Sequence, residues 1–468
     1  MSRKSSRRFR DLGTSQPPAD SRVILRRAVV MGGSIAGLLA ARVLSEHADQ
    51  VVVLERDDLE AAHEGRPGAP HSSQVHVLLH GGRVQLDRWF PGFSDDLLAA
   101  GAVLSRDGAI RMYVNGAAKA PVSDEIISAS RPFLESHVRA RTLSLPNVHF
   151  IRAQVREVTF SGDRVSGVRC ALAGEPADEI KNMAADLVVD AMGRSSRLGD
   201  WLDRAGLPRP AMRRIGIDLN YATAGFRRGG GPPGATTVQA IVLPQEGRQA
   251  GTSVLTAVEG DRWAVLLSGF AADRPTRDPD DFRERCRRLP PMFAEVVDEC
   301  QMSGPVATYR QSDARRRDFH LMHHLPAGLV AVGDAVASFN PIYGQGMSSA
   351  ALHASCLSAY LRSVTSLSEP ARDYFELVRL VVDAAWQTST LNDLALPHVD
   401  EPYPRGYRIA RRISDLILEA SITDAEINRR FLQVTHMRTH PSDLIRPGTI
   451  FRAARITRSR KSRQRVPS

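Results

Sequence analysis

Residues Ala28–Glu55 read AVVMGGSIAGLLAARVLSEHADQVVVLE, and this stretch decides the fold. Ala28–Met31 is an apolar run of buried-strand character. Gly32-Gly33-Ser34-Ile35-Ala36-Gly37 follows as a tight Gly-rich turn. Leu38, Leu39, Ala41, Val43 and Leu44 then recur at roughly helical spacing. A second apolar run, Val51–Leu54, ends in an acid, Glu55, eighteen positions after Gly37. Strand, Gly turn, helix, strand and acid in this order form the fingerprint of a dinucleotide site.

The chemistry explains the residue types. Gly32 supplies the sharp strand-to-helix turn, because it takes φ > 0 without a Cβ clash. Gly37 lets the helix approach the strand. The helix N-terminus then directs free N–H groups and a positive dipole end at a pyrophosphate. Glu55 accepts from an adenosine ribose, with Arg56 beside it. The middle Gly of the fingerprint is replaced by Ser34, which either holds a phosphate slightly further off or donates its hydroxyl to it.

The 468 residues carry a formal charge of +10, with 43% hydrophobic residues. Residues 1–27 hold eight Arg/Lys against two Asp, and residues 446–468 hold eight and no acid. The ends are therefore basic and the body mildly acidic. Such ends suit solvated, disordered tails, with weak contact to an anionic membrane surface as the functional alternative. No apolar run reaches the ~18–20 residues of a spanning helix. No apolar stretch follows the basic start, so no secretory signal is expected. Cys170, Cys286, Cys300 and Cys356 are scattered without a CxxC pair, as reduced thiols of a cytoplasmic protein and not as a metal site.

Further along, residues 57–75 are rich in Gly, Pro and His and predict a loop. Val77–Phe90 and Ser94–Ala100 predict helices, and Val103–Val114 a strand. Ser130 suits an N-cap, with Arg131-Pro132 in the first helical turn. Between about 211 and 310, alternating runs separated by Gly/Pro/Asp turns predict an antiparallel sheet. Residues 278–300 read as helix. The chain is helical again from about 346 to 440, broken near Pro397–Pro404.

A second stretch carries chemistry: GLVAVGDAVASFNPIYGQGMSSAALHA, 328–354. An apolar strand delivers Gly333-Asp334, and Gly344-Gln345-Gly346-Met347 opens a small-residue helix. An Asp at a strand end accepts from a polyol such as the ribityl chain of a flavin. A helix N-terminus stabilises negative charge at a flavin pyrimidine edge.

Both stretches, in this order, resemble FAD-dependent monooxygenases of the para-hydroxybenzoate hydroxylase type. The third motif of that family, DGxxS, is represented by Asp190-Ala191-Met192-Gly193-Arg194-Ser195-Ser196, with Met192 at the Asp position. Within the family, GGSIAGLLAARVL, RPGAP with His76 after it, SRPFLESHVRAR and GDAVASFNPIYGQGMS are similar to squalene-type and polyether-pathway epoxidases. His71 and Gln74 stand where related chains tend to carry Gln and His. The resemblance spans about 28–450.

It implies an α/β fold in which a three-layer, Rossmann-like FAD-binding domain with a parallel sheet is interleaved with an antiparallel-sheet substrate domain, followed by C-terminal helices. The FAD-binding parts are expected at 25–107, 130–210 and 311–370, and the substrate domain at 108–129 and 211–310. A helical region follows at 371–446, with disordered basic tails at 1–24 and 447–468. It implies transfer of one oxygen atom from a flavin C4a-hydroperoxide to a bulky apolar metabolite, as an alkene epoxidation, with aromatic hydroxylation as the alternative. Partners are O2, the apolar substrate, and NADPH or NADH used directly or through a flavin reductase. No metal and no nucleic acid are expected. Gly32, Ser34, Gly37, Glu55, Arg56, Arg66, Arg131, Gly333, Asp334, Gly344, Gly346 and Met347 are the expected cofactor contacts. His76 lies either near the flavin or in a structural role. The catalytic residues stay open.

Three rivals have weaker signals. Flavin halogenases carry a Trp-x-Trp pair, whereas Trp89, Trp201, Trp263 and Trp386 are isolated. Many geranylgeranyl-type reductases carry a cysteine pair, absent here. A nucleotide-binding module with basic tails lacks any nucleic-acid-reading motif.

Overall fold

The computed structural model describes residues 3–58, 66, 68, 71–106, 108–176, 178–229, 234–244 and 250–464. Much of the expected 57–75 loop, including part of RPGAP, lies outside these residues.

The first sheet is built on β1 (Leu25–Met31) and β2 (Ala48–Glu55). The second sheet begins later in the chain, and a small third sheet joins β3 (Val77–Leu78), β4 (Val103–Ser105) and β7 (Ile126–Ser128). β8 (Val148–Ser161), β9 (Arg164–Leu172), β10 (Ile180–Ala184), β11 (Leu187–Asp190) and β17 (Leu329–Ala331) complete the first sheet. Its order is β10-β9-β8-β2-β1-β11-β17. The five strands from β8 to β17 are parallel, and β9 and β10 continue it as an antiparallel meander. Ala28–Met31, Val51–Leu54 and Leu187–Asp190 are buried along their whole length. Continuous apolar runs of this kind belong to parallel strands covered on both faces.

The second sheet has the order β18-β16-β12-β15-β14-β13-β5-β6. Its strands are β5 (Ile110–Val114), β6 (Ala117–Ala118), β12 (Met212–Arg227), β13 (Thr237–Val242), β14 (Gly251–Val258), β15 (Arg262–Phe270), β16 (Ala307–Arg317) and β18 (Ala337–Ser338). It is antiparallel except that β13 pairs with β5 in parallel, so it is a mixed sheet. The run expected as one strand over Val103–Val114 is split between two sheets. Gly108, at φ +78°, turns the chain between β4 and β5.

The helices are α1 (Arg3–Leu12), α2 (Ile35–Leu44), α3 (His80–Trp89), α4 (Phe93–Ala99), α5 (Arg131–Leu143), α6 (Leu198–Arg204), α7 (Pro279–Arg287), α8 (Pro291–Glu299), α9 (Gln345–Ser363), α10 (Arg372–Asp393), α11 (Tyr407–Thr423), α12 (Ala425–Thr435) and α13 (Pro447–Gln464). The helix read over 278–300 is two helices, broken at Pro290-Pro291, where proline lacks the N–H needed to continue. The helix read from Val77 starts at His80, because Val77–Leu78 pair with β7.

Both expected tails are corrected. In α1, Phe9 and Leu12, three positions apart, are buried. The Phe9 ring meets His440 edge-on at 5.7 Å, and Ser6 donates to the Asp443 carboxylate at 3.0 Å. In α13, Thr449, Ala453 and Thr457, four apart, form a buried stripe. Charge hid this helical spacing in the sequence. No helix of the described residues is long and apolar enough to cross a membrane.

Candidate active site

The first fingerprint forms at the C-terminal ends of β1 and β2. Gly32 has φ +111°, and a Cβ there would meet the Ala191 carbonyl oxygen at 2.5 Å. Gly37 faces back onto the turn: its Cβ would meet the Gly32 oxygen at 1.9 Å. The glycine pattern thus lets α2, β1 and the end of β11 converge.

The second fingerprint docks on the first. Gly333, at φ +59°, follows β17, and its N–H donates to His353 Nδ1 at 2.9 Å. Burial keeps the His353 imidazole neutral, with its pKa pushed down to about 3. Gly344, at φ +67°, caps α9 in the left-handed conformation. A Cβ on Gly346 would meet nothing within 4 Å, so protein packing does not require glycine there.

A cavity of about 950 Å³ opens where these elements meet. All the expected cofactor contacts line it except Gly37, whose role is packing. The cavity continues over the second sheet, past Tyr221, Gln239 and Leu266, to Lys119 and α12. One continuous space therefore joins the two fingerprints to the face of the second sheet.

Its electrostatics centre on Glu135, on α5. Glu135 accepts from Ser34 Oγ at 2.7 Å, Arg66 Nε at 2.9 Å, Arg139 Nη2 at 3.0 Å and Arg131 Nη2 at 3.1 Å. Although burial opposes ionisation, Arg131 and Arg66 hold its pKa down at about 2. Arg66 also reaches Glu55 at 2.8 Å and Asp57 at 3.3 Å. Glu55 accepts from the N–H groups of Gly33, Arg56 and Asp57 as well. Its pKa is lowered, Arg66 and these N–H groups outweighing the burial penalty. Arg56 is more than half exposed, at the cavity rim. The Ser34 hydroxyl donates to Glu135, which of the two expectations for it agrees with a phosphate held slightly further off.

The other side of the cavity is tied to the second sheet. Asp190 accepts from Met192 N–H at 3.1 Å and Ser196 Oγ at 2.5 Å, closing the turn after β11. Arg194, on that turn, donates to Asp313 at 2.8 Å and to Ser338 at 2.9 Å. Asp334 is half-buried beside Ser338; desolvation raises its pKa, and Ser338 and Arg194 oppose the rise.

His76 lines the cavity, and its Nδ1–H donates to Gln74 O at 2.8 Å. Burial and Arg131 lower its pKa to about 3, and that of His71, 5.6 Å away ring to ring, to about 4. Both rings are neutral at pH 7. Gln74 ties their loop to the second sheet through Thr223 at 2.7 Å and Ala307 at 3.3 Å. Asp393, on α10, accepts from Asn340 at 2.7 Å and Tyr343 at 3.1 Å, and burial lifts its pKa to about 7.

The residues fit an FAD-sized dinucleotide. Gly346 leaves backbone open at the start of α9, and the N-termini of α2 and α9 both border the cavity. Arginines flank the turn, and Asp334 lies opposite.

Sequence reading missed Glu135, Arg139, Arg194, Asp393 and Lys119. For Glu135 a signal existed: Arg131, Glu135 and Arg139 recur every four residues, which stacks them on one helix face. Arg139 belongs to the same pattern, whereas Arg194, Asp393 and Lys119 depend on pairings across fifty residues or more.

No family model matches this chain. It is 33% identical over 421 residues to Protein Rv3254 of Mycobacterium tuberculosis, covering 87% of this chain and 88% of the relative. It is 26% identical over 364 residues to the kynurenine 3-monooxygenase of Salinispora tropica, covering 73% and 75% of the two chains. Among solved structures it resembles the flavin-dependent brominase Bmp2, with a TM-score of 0.63 and 16% identity, over 93% of this chain and 99% of that one.

Proposed function

This chain belongs to the same family as mycobacterial Protein Rv3254 and has the fold shared by FAD-dependent monooxygenases; from that we propose that it hydroxylates an electron-rich ring of an organic substrate. The observation that carries the reading is the single cavity shared by both fingerprints and the second sheet. Cofactor and substrate would share this one space, which brings the reacting ends together. Balanced, the reaction is R–H + O2 + NAD(P)H + H⁺ → R–OH + H2O + NAD(P)⁺. Bound FAD supplies the redox chemistry that activates O2.

The chain's own residues then have these tasks. Arg66 and Arg131 meet the pyrophosphate at the α2 N-terminus, and Glu55 the adenosine ribose. Asp334 takes the ribityl hydroxyls. The α9 N-terminus, opened by Gly344 and Gly346, stabilises negative charge at the pyrimidine edge. His71 and His76, neutral at pH 7, add no positive charge to the cavity wall, so Arg66, Arg131 and the helix N-termini carry its positive potential.

Aromatic hydroxylation is favoured over epoxidation because one relative is named kynurenine 3-monooxygenase and because Tyr221, Tyr309 and Gln239 give the sheet end a polar component. Alkene epoxidation, the reaction of the squalene-type and polyether-pathway enzymes that the motifs resemble, is the second reading. It is supported by the apolar wall of Ile110, Val254 and Leu266.

The test is anaerobic stopped-flow absorbance of the purified yellow protein with NADPH and then NADH, with and without an added flavin reductase. Flavin bleaching by NAD(P)H, followed on readmission of O2 by reoxidation of the flavin, is the expected result. A protein that retains no FAD after reconstitution would sink the reading.

A further inference from the structure

Lys119 follows β6 at the edge of the second sheet and is only 8% exposed. Its side chain lines the same cavity as the fingerprints. The Nζ atom has no hydrogen-bond partner in the protein. It sits 4.2 Å from the centre of the Phe431 ring. That contact attracts the cation but satisfies none of its three N–H donors. Across from it on α12, Asn428 also lines the cavity. Its Nδ2 is spent on Ala120 O, and its buried Oδ1 has no partner.

The neighbouring ionisable groups do not supply the missing partner. Asp124 pairs with His436 at 3.3 Å and His80 at 3.6 Å, and also accepts from Glu125 N–H. His436 is kept neutral by burial, with its pKa near 4. The wall around the lysine is otherwise apolar, with Met112, Pro121, Val122 and Leu432. The cavity arginines Arg66, Arg131 and Arg194 differ, because each has a carboxylate counter-charge beside it. A buried cation without an acceptor is costly, and burial alone lowers the Lys119 pKa to about 7. A ligand that brings a counter-charge offsets that cost.

We propose that Lys119 anchors the substrate through a carboxylate, so that the substrate of this enzyme is an organic acid whose apolar or aromatic body lies along the second sheet. The assignment rests on the monooxygenase reading and narrows it to an acidic substrate class. Asn428 Oδ1 accepts from a donor next to that carboxylate. Above pH 7 the lysine takes up a proton as the acid binds, because the ion pair restores its charge.

The test is calorimetric titration of the FAD-loaded protein with benzoate, 4-hydroxybenzoate and 2-naphthoate, each beside its neutral primary amide. At least one acid is expected to bind about ten-fold or more tightly than its amide. In Lys119→Met that preference disappears, while flavin content and amide affinity stay at wild-type values. At pH 8, titrations in buffers of different ionisation enthalpy show proton uptake for wild type and none for the variant. Should Lys119→Met not fold, Lys119→Gln is read in the same way. The proposal is overturned if no acid binds better than its amide in wild type, or if the preference survives the substitution. A colourless protein that keeps the acid preference sinks the flavin reading and supports the anchor.

Discussion

Gly333 rests on Ala36. A Cβ built on Gly333 would lie 2.6 Å from the Ala36 Cβ, so the second fingerprint touches the first through two residues without side-chain bulk. This joint fixes the distance between the Asp334 turn and the α2 N-terminus, across which a dinucleotide would lie.

Gly333→Ala adds a methyl group at that joint and forces an L-residue to φ +59°. The expected cost is about 2–4 kcal/mol of stability, together with loss of flavin. Denaturant titration and the ratio of flavin to protein absorbance check both. Wild-type values for both would show that the joint is not tight.

Gly346→Val makes the opposite separation. Its side chain would project into open space at the start of α9. Stability should stay within about 0.5 kcal/mol of wild type, while FAD retention falls because the cavity is filled. Full flavin occupancy in this variant would remove α9 from the cofactor site.

Glu135 makes stability depend on acid pH. Its folded pKa, about 2, lies below the unfolded value. Its contribution is therefore complete above about pH 4.5 and is lost as pH falls toward 2, amounting to about 3 kcal/mol. Glu135→Gln leaves Arg131 and Arg139 without their carboxylate and takes one of three from Arg66, and should cost about 3–5 kcal/mol at pH 7. The difference from wild type should narrow at pH 3. A constant difference from pH 7 to pH 3, by denaturant titration, would show that the carboxylate charge is not what matters.

Asp393 has the opposite sign. Its folded pKa, about 7, exceeds the unfolded value, so the protein loses stability as pH rises from about 4 to 7. Asp393→Asn keeps an acceptor for Asn340 and Tyr343 without the charge. It should match wild type more closely at pH 5 and gain about 2–3 kcal/mol on it by pH 8. Parallel stability profiles for the two proteins across this range would refute the buried-acid assignment.

The parts of the site legible in the sequence are those that glycine and strand patterning dictate. Gly32, Gly37, Gly333 and Gly344 announce themselves because a backbone turn or a close approach admits nothing larger, and the apolar runs before them place each turn at a strand end. Glu135 was harder to see, because a lone acid on an Arg-rich helix reads as solvated until the fold buries it. Lys119 gave no signal at all: its setting is made by Phe431 and Asn428, some three hundred residues later. The terminal helices were obscured by the same effect in reverse, since many charges surround the few residues, such as Phe9 and Ala453, that are buried.

The strand order of the first sheet also sets a schedule for synthesis. The first fingerprint is complete at Glu55, yet β17 and the Gly333–Asp334 turn emerge about 280 residues later. At ordinary elongation rates the ribosome takes roughly 15–60 s to cover that span. Until then the open edge of the first sheet is β1 and, once residues 187–190 have been made, β11, beside a half-built nucleotide cradle. A cofactor held by both fingerprints would therefore load only late in synthesis, and until β17 is made the growing sheet carries an open edge of the kind that can pair with a neighbouring chain.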